Sequence, residues 1–214
     1  MPRASGSDSL AFSFTDLMTS LMVIFVLLLV VFLNNQAGAN AAVTDALHRE
    51  LRERLGQDHL HIDTSDRFTI VLSIPHELMT FEPNRYELKP QGEAFLREQA
   101  PRLARILCGD AYRHSIESVI VEGHSDSTPW RGTTLEESQN LNLKLSQDRS
   151  MEVVKKTLQF LEGDPKERGC LLEKLSATGR GEQDLEATAD QSRRVLFKIR
   201  VNSGMGQTLA EVLR

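Results

Sequence analysis

Cysteine is scarce: Cys108 and Cys170 are the only two among 214 residues. That excludes a disulfide-dense scaffold and a cysteine-rich zinc module. Runs of basic residues are missing as well. The chain holds 25 Lys and Arg against 30 Asp and Glu, a net charge of -5, with no cationic cluster able to neutralise a phosphate backbone, so a nucleic-acid binder is excluded. No nucleophile stands with a base in a recognisable motif, and Gly179-Arg-Gly-Glu182 is too short for a phosphate loop. Neither enzyme chemistry nor a cofactor is expected. His114 and His124 have no spaced set of ligands beside them, which points to hydrogen-bonded structural roles and away from a metal. Charge is also nearly absent from the first 42 residues, where Arg3 is the one basic side chain.

That uncharged beginning contains a long apolar run. Residues 12–33 read FSFTDLMTSLMVIFVLLLVVFL, roughly 22 residues, which as a helix span about 33 Å, one bilayer crossing. The core of a signal peptide is the first competing reading, because small residues follow at 37–42. Against it, the run exceeds the usual signal core and the lead-in is scarcely basic. A buried soluble helix is the second, but residues 21–33 are apolar on every face, whereas a soluble helix keeps a polar side. Arg3 precedes the run and the next basic residue is Arg49, a bias that places the N-terminus in the cytoplasm.

Asp16 is the one ionisable side chain in the run. A carboxylate in a spanning helix costs about 2.5–3.5 kcal/mol, so it is normally paired, hydrated or protonated. At the headgroup boundary it does nothing. Deeper, with Thr15, Thr19 and Ser20 nearby, it can carry a proton, neutral when loaded and charged when empty. The segment Phe14-Thr-Asp-Leu-Met-Thr-Ser-Leu-Met-Val-Ile-Phe25 resembles the single transmembrane helix of MotB-type stator subunits. That resemblance implies that Asp16 is the ion-binding carboxylate.

Beyond the run, residues 34–40 are small and polar, and Val43, Ala46, Leu47, Leu51 and Leu55 recur at helical spacing between charged residues. The pattern predicts a short amphipathic linker helix ending near Gly56, either a solvated stalk or a plug-like helix.

About 170 residues then remain, enough for one domain. Residues 68–74 alternate as a half-buried strand ended by Pro75, and helices are expected over 90–108, with a kink or break at Pro101, and over 141–161. Further strands are expected at 117–122, 174–177 and 194–201. This succession of strands and helices fits a mixed sheet with helices on one face.

Four segments in order, Val121-Glu-Gly-His-Ser-Asp126, Asn142-Leu-Lys-Leu-Ser-Gln-Asp-Arg149, Gly179-Arg-Gly-Glu182 and Ser192-Arg-Arg-Val195, resemble the signatures of OmpA-like peptidoglycan-binding domains. The resemblance covers roughly 68–201. It implies that Asp126 and Arg149 hold the diaminopimelate end of a stem peptide, with Asn142 and Ser125 supporting them. The chemistry is sensible in itself, because a zwitterion needs a carboxylate for its ammonium and a guanidinium for its carboxylate. The loop 127–139 lengthens the path between two signatures, and Trp130 and Arg131 within it are expected to cover, block or reshape the site.

Together the two resemblances imply an α+β, MotB-like stator subunit. Its parts are a cytoplasmic N-terminus (1–11), a transmembrane helix (12–33), a helical linker (34–58), an OmpA-like domain (59–202) in the periplasm and a C-terminal tail (203–214). Implied partners are a ring-forming, multi-helix MotA-like protein (ZorA-like in the Zorya case), a second copy of the chain as a homodimer, and peptidoglycan, in the bacterial inner membrane. The short stalk is closer to the stators of Zorya anti-phage systems than to flagellar ones. A passive wall anchor is the alternative of another class. Residues 60–214 are expected to fold without the helix. Cys108 and Cys170 each follow a domain helix that returns toward the same sheet end, so an oxidising periplasm is expected to join them, provided their Cα atoms come within about 7 Å.

Overall fold

The computed structural model describes residues 6–55, 60–62, 66–74, 78, 81–82 and 84–202, with backbone alone at 6–13, 35–40 and 60–62. The expected tail (203–214), Pro75, the end of the linker (56–58) and the first five residues lie outside them.

The apolar run and the linker form one helix, α1 (Gly6–Leu55), of 50 residues, about 75 Å long. The small polar stretch 34–40 keeps helical backbone and does not divide it. Within α1, Phe14–Asn34 has a mean hydropathy of 2.7 and none of it is buried. The opposite end behaves differently. Thr44, Leu47 and Leu51 are fully buried, and Val43 and Leu55 pack beside them. The amphipathic stripe is therefore the edge of the domain core, in place of the solvated stalk or plug-like helix expected, and the core extends upstream of residue 59. Only about 14 Å of helix separates Asn34 from Val43.

The remaining elements are β1 (Leu60–Ile62), β2 (Thr69–Ile74), α2 (Pro90–Leu107), β3 (Ile116–Gly123), α3 (Leu135–Gln159), α4 (Pro165–Lys174), β4 (Leu175–Gly179), α5 (Ala189–Ser192) and β5 (Val195–Val201). Their sheet runs β1-β2-β5-β3-β4. It is mixed: β3 and β4 are parallel and the other pairs antiparallel. The parallel pair requires a crossover, supplied by α3 and α4. β5 is central and nearly continuous in apolar character, with Val195, Leu196, Phe197, Ile199 and Val201 all buried. The tail of α1, α2, α3 and α4 pack on one another over one face of the sheet.

Three expectations need correction. Pro101 does not break α2. A proline removes one intrahelical bond, and the buried face of Leu96, Ala100, Leu103, Ala104 and Leu107 holds the helix across it. The second long helix begins at Leu135 and not at 141, because Thr134 and Glu137 form a capping box: the Thr134 hydroxyl accepts from the Glu137 amide, and the Glu137 carboxylate accepts from the Thr134 amide. The loop expected over 127–139 is shortened accordingly. Helix α4 lies outside the expected elements, although Asp164 caps it and Pro165 occupies its first position, both ordinary helix-start signals. Cys170, within α4, is joined by a disulfide to Cys108 at the end of α2, with Cα atoms 6.1 Å apart.

Candidate functional site

Two glycines seat α3 against the sheet. A Cβ on Gly123 would lie 2.2 Å from the Ser146 carbonyl oxygen, and one on Gly179 would lie 2.5 Å from the Gln147 amide nitrogen. With hydrogen there, the helix backbone reaches β3 and β4. Ser146 and Gln147 then tie the next loop down: the Ser146 hydroxyl accepts from the Gly181 amide at 2.8 Å, and the Gln147 side-chain oxygen accepts from the Gly179 amide at 2.7 Å. Gly181 takes a positive φ of 57°, a conformation that costs glycine little. Much of the motif pattern is therefore packing chemistry. It fixes the helix that carries Asn142 and Arg149 beside the strand end that carries Ser125 and Asp126.

Between them lies an open cleft of about 650 Å³ whose lining includes Phe81, Asp126, Trp130, Asn142, Arg149 and Arg193. Arg149 is 3% exposed. Its Nε donates to the Arg85 carbonyl at 3.0 Å and its Nη2 to the Glu82 carbonyl at 3.4 Å, and its guanidinium lies 5.0 Å from the centre of the Phe81 ring. Burial, and then the neighbouring Arg193 charge, lower its pKa to about 10, against the opposing pull of Asp126. Among the described residues no carboxylate comes within ion-pair distance of it. A buried cation in that state is prepared for an anion.

Asp126 faces the same cleft without touching Arg149. Its Oδ1 accepts from the Thr128 amide at 3.0 Å, and its Oδ2 pairs with Nη1 of Arg193. Burial pushes its carboxyl pKa upward, but the Thr128 amide and Arg193 outweigh that and hold it below the usual range. Asn142 is engaged at both ends of its amide: its Nδ2 donates to Glu182 at 2.8 Å and to the Thr128 carbonyl at 3.3 Å, and its Oδ1 accepts from the Trp130 indole at 2.7 Å. It is a brace for the loop. Among the described residues the buried Ser125 hydroxyl finds no hydrogen-bond partner, while its amide donates to the Gly181 carbonyl.

The loop at Trp130 forms one wall and leaves the cleft open. The Trp130 amide donates to the Ser138 hydroxyl at 2.9 Å, so indole and backbone are both pinned to α3. Beneath the site, His124 is 1% exposed, with ring nitrogens 3.0 Å from the Glu122 carboxylate and 3.1 Å from the Gln183 carbonyl. These hydrogen bonds are the structural role expected of His124. Arg193 is the residue that motif reading passed over. It lies within Ser192-Arg-Arg-Val195, but nothing in that spelling says which arginine turns toward residue 126.

At the far end of the molecule, Asp16 is exposed on α1. Thr19 and Ser20 follow at the spacing that shares a helix face.

The architecture is that of the OmpA-like periplasmic domain of MotB. The solved periplasmic domain of MotB matches 72% of this chain and 73% of its own, at 15% identity with a TM-score of 0.50. A MotB-like protein from Desulfovibrio vulgaris matches 80% of this chain and 99% of its own, at 19% identity and a TM-score of 0.51. In sequence, the chain is similar to Zorya protein ZorB of Escherichia coli, 25% identical across 95% of this chain and 92% of that protein. The resemblance therefore extends over the apolar helix as well as the domain. No protein-family model matches the chain.

Proposed function

We propose that the chain is the ion-carrying, wall-binding subunit of a MotB-like stator of the Zorya type, acting in anti-phage defence from the bacterial inner membrane. One observation carries this reading: a single apolar helix bearing one acid is continuous with a domain of MotB fold, in a chain similar to ZorB over nearly its full length. In this reading α1 spans the membrane with its N-terminus in the cytoplasm, and Asp16 binds the transported proton. The chain pairs as a homodimer within a ring of MotA-like (ZorA-like) partners, because one helix cannot enclose an ion path. The disulfide is consistent with an oxidising periplasm around the domain.

In the cleft, Arg149 takes a carboxylate of the peptidoglycan stem peptide and Asp126 an ammonium of its diaminopimelate residue, while Asn142 and Ser125 shape the loop between them. The wall then holds the domain still, and α1 passes that restraint to the membrane. A sacculus pull-down with the detergent-solubilised full chain tests the anchoring. Binding is expected to fall at least tenfold in Asp126→Ala and in Arg149→Ala with folding retained. Equal retention by wild type and both variants would remove peptidoglycan as the ligand of this cleft.

A further inference from the structure

The carboxylate assigned to the ligand's ammonium is already occupied. Arg193 places Nη1 on Asp126 and Nη2 on Asp190. The two partners differ: the Asp126 side chain is 13% exposed within the cleft, whereas Asp190 is 61% exposed on α5. Across the cleft the buried Arg149 guanidinium lacks a carboxylate among the described residues and feels the Arg193 charge unfavourably. Arg149 and Arg193 thus place two cations beside the one partly buried carboxylate of Asp126.

We propose that Arg193 is an internal stand-in for the ligand's ammonium, displaced from Asp126 when the ligand binds. This rests on the peptidoglycan reading of the cleft. The incoming ammonium replaces Nη1 on Asp126, and Arg193, 40% exposed, turns outward while its second nitrogen keeps Asp190. The exchange costs Arg193 one of two ion pairs. At the same time the ligand's carboxylate reaches Arg149 and supplies its missing anion. An amine alone gains little, since it trades one cation for another at Asp126. A ligand with both groups gains at both ends, so the stand-in sharpens selection for a zwitterion. It also keeps Asp126 paired before the ligand arrives, which avoids the cost of a lone, partly desolvated charge.

Affinities of the full chain in detergent for meso-diaminopimelate and for pimelate, the same dicarboxylate without its amines, separate the possibilities. Removing a competing charged hydrogen bond is worth about tenfold in a dissociation constant. Arg193→Gln is therefore expected to bind diaminopimelate about tenfold more tightly than wild type and pimelate no more tightly. In the Asp126→Asn background the same substitution is expected to change neither, because no carboxylate is left to contest. Weaker binding of both compounds by Arg193→Gln would make Arg193 a direct carboxylate ligand and overturn the exchange, and unchanged affinity would overturn it equally. If neither wild type nor Arg193→Gln binds diaminopimelate, the peptidoglycan reading of the cleft falls, and the exchange with it.

Discussion

At Gly123 the space for a side chain is filled by the backbone of α3. Gly123→Ala places a methyl group 2.2 Å from the Ser146 carbonyl oxygen, an atom that cannot move without the helix. Overpacking of this kind costs about 1–3 kcal/mol, read as a lower denaturation midpoint, and diaminopimelate affinity should fall with it because Arg149 rides on the same helix. Glu122 makes a second prediction. Its Oε1 meets Nζ of Lys198 at 2.8 Å and His124 at 3.0 Å. Burial opposes its ionisation, but these two partners prevail and lower its pKa from 4.5 to about 2. A carboxyl depressed in the fold stabilises it fully above its unfolded value and loses that contribution as pH falls toward the folded one. The stability gap between wild type and Glu122→Gln should therefore be full at pH 7 and narrow between pH 4.5 and 2, measured by urea denaturation. A gap independent of pH would contradict the ion-pair assignment. The sequence made Asp126 and Arg149 visible because their motif spelling surrounds them. It did not reveal the Arg193 pairing, since that contact joins residues 67 apart in sequence and depends on where a loop lands.

Among the elements, α1 departs most from its sequence pattern. The stripe Val43, Leu47, Leu51 and Leu55 was legible as one apolar helix face, but periodicity does not say what covers a face. Here α2 and the sheet cover it. Leu47→Ala and Leu51→Ala should each cost about 2–5 kcal/mol, as much as a substitution in the middle of the domain. A fragment beginning at residue 60 should be markedly less stable than one beginning at 41, in place of the independent folding expected from the sequence; equal denaturation midpoints would show that the helix tail is dispensable. α4 is the other hidden element. With Leu171 as its one fully buried side chain, it presents almost no apolar period, and the Cys108–Cys170 bond fastens it to the end of α2. Cys108→Ser should cost about 2–4 kcal/mol under non-reducing conditions and nothing further once the wild type is reduced.

At the scale of the whole molecule, a 50-residue helix links an acid near one end to a ligand cleft's supporting core at the other. From Asp16 to Leu47 the helix advances about 46 Å. A domain docked directly on that helix fixes the helix tail; in the stator reading proposed above, this would hold the Asp16 carboxylate at a fixed height and angle relative to the wall. Replacing Asp16 with Asn preserves size and polarity and removes the titratable proton. Proton flux should be measured in membrane vesicles containing the chain with the MotA-like partner proposed for it, for wild type and Asp16→Asn, after the two complexes are shown to purify with the same composition. Flux driven by an imposed potential is expected in wild type and should fall to the level of empty vesicles in Asp16→Asn. Undiminished flux in the variant would contradict ion transport through Asp16 and leave the chain as a membrane-tethered anchor.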